Sequence, residues 1–72
     1  MAFVSTEINN LVKIMVNNPA AVIATLLSIY TSAELQSLIA TAKFELANTI
    51  MSEEDADRLY ALQLTLENAL RA

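Results

Sequence analysis

Apolar residues recur along this chain at steps of three and four, in four blocks that each carry their own start signal. In the first block Ile8, Leu11, Val12 and Met15 share one stripe of a helix. Ser5 or Thr6 stands in front of it as an N-cap, where a hydroxyl can accept from an unpaired backbone N–H. Asn9, Asn10 and Lys13 are expected to face away, with Ile14 and Val16 off the stripe. Val4 and Ile8 lie one turn apart, a spacing that would pin the N-terminal segment, and both end residues, Met1 and Ala72, are expected to be held by the fold or by a partner.

The second block is bounded in front by Asn18 as N-cap and by Pro19 at the first helical position. There the missing N–H costs nothing and the fixed φ suits a helix. The segment from Ala20 to about Tyr30 is apolar nearly all round, with Thr25 and Ser28 its only polar side chains. Such a helix is normally enclosed, so it is expected at the centre of the molecule, the alternative being a surface hydrophobic helix that a partner covers. From Pro19 to Tyr30 there are 12 residues, against about 20 needed to cross a bilayer. No basic region precedes the run as a secretory signal would require.

The third block opens with Thr31-x-x-Glu34, a capping-box pattern in which hydroxyl and carboxylate each accept from the other's backbone N–H. It is expected to run to Ile50 or Met51. Leu35, Ile39, Ala42, Leu46 and Ile50 form its main stripe, with Leu38 beside it. Ala40, Phe44, Ala47 and Met51 form a second stripe on the far side. Gln36 and Lys43 separate the two on one flank, and Ser37, Thr41, Glu45 and Asn48 on the other.

The fourth block starts at Ser52, with Asp55 in the capping-box position. Glu53, Glu54 and Asp55 fill a first turn where the helix dipole favours negative charge, and Arg71 sits in the last turn. Leu59, Leu62, Leu66, Ala69 and Leu70 make the stripe, while Tyr60 and Leu64 lie one turn apart and off it. The short join at Met51–Ser52 predicts a hairpin of the last two helices, one bent helix being the alternative. The reading is thus an all-α single domain over residues 1–72: a bundle of four short helices, or three if the first two merge around Pro19.

Composition then removes whole classes of chemistry. The 72 residues include no Cys, no His and no Gly. Disulfides, thiolate or imidazole metal ligands, Ser–His and Cys–His nucleophiles, and glycine-rich phosphate loops therefore have no residues to build them. No cofactor, metal site or catalytic residue is expected, and the chain reads as a non-enzyme. Glu53, Glu54, Asp55 and Asp57 cluster, but at a helix start, where the dipole accounts for them. Glu54–Arg58 and Glu67–Arg71 are ordinary i,i+4 pairs. Net charge is −4, with only Lys13, Lys43, Arg58 and Arg71 as cations. This balance disfavours both nucleic acid and anionic membrane as partners.

What remains is surplus apolar surface. The apolar fraction is 56%, above the roughly 45–50% usual for soluble domains. A bundle this small has room for about one fully enclosed helix. Some of Ala40, Phe44, Ala47, Met51, Tyr60 and Leu64 are therefore expected at the surface, as a protein interface. The competing reading is a central third helix touching neighbours on two sides. The functional expectation is a cytoplasmic, non-catalytic interaction protein that occupies a partner's surface, as an adaptor, regulatory subunit or inhibitor. Phages and mobile elements encode chains of this size and style. The alternative is a self-assembling scaffold component. In either case the expected partner is another protein or a second copy in a homodimer.

Overall fold

A computed structural model of the chain describes residues 3–71. The end residues Met1 and Ala72, expected to be held, lie outside them. Within the described residues there are four helices: α1 (Thr6–Asn17), α2 (Pro19–Ile29), α3 (Ser32–Asn48) and α4 (Glu53–Arg71).

The boundaries follow from local capping. Ser5 Oγ accepts from the Ile8 N–H and starts α1. Asn18 serves two helices at once. Its N–H donates to the Ile14 carbonyl at 2.8 Å, ending α1. Its Oδ1 accepts from the Ala21 N–H at 3.3 Å, starting α2 over Pro19. The first two helices therefore do not merge. At α3 both halves of the capping box form: Glu34 N–H donates to Thr31 Oγ1 and Thr31 N–H to Glu34 Oε1. Ser52 Oγ accepts from the Asp55 N–H ahead of α4.

Helix α3 ends at Asn48, two to three residues earlier than its apolar pattern suggests. Asn48 Nδ2 donates to the Phe44 carbonyl, and Thr49 takes an extended conformation as C-cap. A short polar side chain bonding its own backbone, followed by β-branched Thr49 and Ile50, weakens the case for another turn. The early stop throws Ile50 off the expected stripe: it is 100% exposed. Met51 folds back and packs against the core.

Helices α3 and α4 form the predicted antiparallel hairpin, the most extensive pairing in the molecule, while α1 pairs with α2. The two pairs meet on α4, which touches α1, α2 and α3. With 19 residues at 1.5 Å rise, α4 is about 28 Å long, close to the 31 Å longest extent of the whole molecule. Leu59, Leu62 and Leu66 are completely enclosed on it. Around them pack Phe3, Ile8, Leu11 and Val12, then Val22 and Leu26, and Leu35, Leu38, Ile39 and Ala42 from α3.

This arrangement corrects the expectation for α2. The central position goes to α4, and α2 is peripheral. Only Val22 and Leu26 of α2 are buried; Ala20, Ile23, Ala24, Leu27 and Ile29 are exposed. Loose packing does not explain this. The radius of gyration, 11.2 Å, equals the roughly 11 Å of a compact chain of this length. The reason is placement: α1 and α4 both pack against α2, on the inner side that carries Val22 and Leu26, and the opposite side of α2 faces outward.

Candidate functional site

The N-terminal segment shows how far local pattern can mislead. Glu45, assigned by its spacing to a polar flank of α3, is 3% exposed. Its carboxylate accepts from the Val4 N–H at 2.7 Å and from the Ser5 N–H at 3.2 Å. Asn9, expected to face away, is buried as well. Its Nδ2 donates to the carbonyls of Phe3 (2.7 Å) and Ser5 (3.1 Å), and its Oδ1 accepts from the Phe3 N–H. Val4 remains exposed, so the predicted Val4–Ile8 pin does not form; Phe3 enters the core instead. Glu45 and Asn9 thus pair the backbone of the strap that precedes α1, and no buried side-chain polar atom among the described residues is left without a partner. These two residues are structural clamps, fully occupied by the chain itself.

The acidic start of α4 is equally self-contained. Arg58 bonds Glu54 and lies 3.6 Å from Asp55. No group of three or more carboxylates gathers into a cation site among the described residues. At the first turn of α1, the Tyr30 hydroxyl donates to Glu7 Oε2 at 2.8 Å. Partial burial, then the Glu7 acceptor and the nearby charges of Glu7 and Glu34, push the Tyr30 phenol up to about 12. This contact fastens the C-cap of α2 to the first turn of α1.

The remaining candidates are the six apolar residues named from sequence. Met51 is half-buried against the core. Ala40, Phe44, Ala47, Tyr60 and Leu64 are exposed, Phe44 at 65% and Tyr60 at 54%. Helix geometry decides whether they adjoin. Gln36, Ala40, Lys43 and Ala47 follow steps of four, three and four along α3, and Tyr60, Leu64, Glu67 and Arg71 do the same along α4. Gln36 and Lys43 line one shallow groove together with Glu67 and Arg71, over a floor of Ile39 and Leu70. The two rows therefore flank the same side of the hairpin. On α3, Ala40 and Ala47 lie one turn either side of Lys43, with Phe44 one turn from both; on α4, Leu64 and Tyr60 lie one and two turns before Glu67.

This side also carries Lys43 between the two alanines, with Glu67 and Arg71 one turn apart on α4, so apolar residues and charges of both signs share it. An aromatic-bearing apolar patch beside mixed charge has the composition typical of protein interfaces. A second exposed apolar face lies on α2, which has no charged side chain from Pro19 to Ile29; the structure favours the surface-helix alternative over enclosure. No helix is long and apolar enough to cross a membrane among the described residues. No protein-family model matches the chain, and no curated protein or solved structure is significantly similar to it.

Proposed function

We propose that this protein is a non-catalytic binding protein that docks onto another protein through the Tyr60/Leu64 side of the α3–α4 hairpin, as an adaptor, regulatory subunit or inhibitor in the cytoplasm. The observation that carries this reading is the exposure of Ala40, Phe44, Ala47, Tyr60 and Leu64 on the α3–α4 hairpin, four of them in helical register with the residues that line its groove. Large apolar and aromatic side chains held outward by a rigid scaffold lose little conformational freedom on binding, which is why tyrosine and its like anchor interfaces. Several polar side chains serve the fold itself: Glu45 and Asn9 hold backbone, and Arg58 holds Glu54.

The test is photo-cross-linking in an extract of the native host from a probe placed at Ala47. A discrete cross-linked protein is expected, lost with Tyr60→Glu or Phe44→Glu and retained with Leu27→Glu. Cross-links indifferent to the hairpin substitutions, or none at all, count against it. The presence of two separate apolar faces, on α2 and on the hairpin, supports a second reading as a self-assembling scaffold. In that case Leu64→Glu abolishes self-association and no foreign protein is captured.

A further inference from the structure

The outer face of α2 consists of Ala20, Ile23, Ala24 and Leu27, at positions i, i+3, i+4 and i+7, all exposed. In order along the helix it reads small, large, small, large. That order is its own complement when reversed. In an antiparallel pair of such helices, related by a twofold axis passing between Ile23 and Ala24, each Ala20 meets the other copy's Leu27. Each Ile23 likewise meets the other copy's Ala24. Every large side chain then finds an alanine, and alanines at a helix contact let the axes approach toward the lower end of the usual 8–10 Å. We propose that α2 is the seam of a homodimer of this chain, built on that twofold register and separate from the hairpin side.

Charge points to the same occupant. Two copies of a chain of net charge −4 repel each other. They approach at least cost where neither carries a charge, and α2 has none along its whole length, whereas α1, α3 and α4 each carry acidic residues. A charged partner would find no complementary group on this face. An anionic lipid surface would meet an acidic protein with no cation on the inserting helix. An isologous contact is also the commonest way for a small chain to close its apolar surface. The seam is short: a helix of 11 residues spans about 16 Å and covers less than the roughly 800 Å² per partner of a standard interface. The dimer is therefore a weak one, with a Kd in the micromolar range.

Sedimentation equilibrium over about 1 to 500 μM tests the proposal on the full chain. The wild type should pass from monomer to dimer within that range, and Leu27→Glu should raise Kd at least about tenfold, the substitution being felt twice across the axis. Ala24→Leu separates this register from general stickiness. It adds apolar surface but collides with the other copy's Ile23, so it should also weaken the dimer. Tyr60→Glu should leave Kd unchanged, so a failure of the hairpin reading does not touch this result. A monomer at every concentration overturns the proposal, as does a dimer indifferent to Leu27→Glu or one tightened by Ala24→Leu. Circular dichroism of Leu27→Glu and Ala24→Leu at 1–500 μM should match the wild type, since both positions are exposed; loss of helix in either would also overturn it.

Discussion

Helices α2 and α4 exchange the roles that their compositions suggest. α2 is apolar on nearly every side yet buries only Val22 and Leu26. α4 opens with Glu53, Glu54 and Asp55 and carries a single apolar stripe, yet it touches all three other helices. The difference teaches that enclosure depends on length and neighbours as well as on hydrophobicity. A helix that runs the length of the molecule offers three others a place to lie. A three-turn helix, however oily, has one inner face to give, and the rest of its apolar surface stays outside. The comparison also explains the surplus: the interior went to α4, so the apolar residues of α2 became surface.

The sharpest way to break this comparison is truncation on each helix in turn. Leu62→Ala or Leu66→Ala, at fully enclosed positions on α4, should lower the unfolding free energy by about 2–5 kcal/mol in urea titrations. Leu27→Ala, at a position 50% exposed on α2, should cost about 0.5 kcal/mol or less in dilute monomer. Equal losses would place α2 back in the core.

A smaller effect is expected at the clamp that ties the start of α1 to α3. Glu45→Leu leaves the Val4 and Ser5 N–H groups without their acceptor and should cost about 1–3 kcal/mol. Glu45→Gln keeps one carbonyl acceptor and should cost about half as much. Combining Glu45→Gln with Asn9→Ala should be non-additive, because both side chains hold the Phe3–Ser5 backbone.

At the junction that makes α2 a separate helix, Asn18→Ala removes the acceptor for the Ala21 N–H and should cost about 1 kcal/mol, read in thermal unfolding. The smallest effect is an alkaline one. The Tyr30 phenol is raised to about 12 in the folded protein, above its ordinary value near 10. A raised pKa means that the contribution is complete below about pH 10 and is lost as pH climbs through the folded value. Tyr30→Phe should flatten the fall in stability across that window, and ultraviolet titration of Glu7→Gln should show the phenol ionising earlier.

Much of the fold was legible because helix boundaries are set within three residues of themselves. Asn18–Pro19, Thr31-x-x-Glu34 and Ser52 with Asp55 each state a start in local chemistry, and each start forms. The core stripes of α1 and α4 were legible for the same reason, as were the hairpin residues Phe44, Tyr60 and Leu64 that stay exposed. What was not legible is what depends on distant neighbours. Nothing near Glu45 announces that it will accept from Val4, 41 positions away. Nothing near Asn9 marks it as a buried clamp, because the strap it holds has no regular pattern. Ile50 fits the α3 stripe perfectly and is lost to it only because the helix stops at Asn48. The outer face of α2 was visible as letters but not as a surface, since periodicity tells which residues share a face and not which face meets another helix.

The most direct test of this division is the unfolding free energy of Leu27→Glu, measured beside the wild type at a concentration low enough to keep both monomeric. An exposed α2 face predicts a change within about 0.5 kcal/mol, with the helical spectrum intact. A loss of several kcal/mol, the signature of a charge forced into a core, would contradict the peripheral placement of α2 and every inference drawn from its outer face.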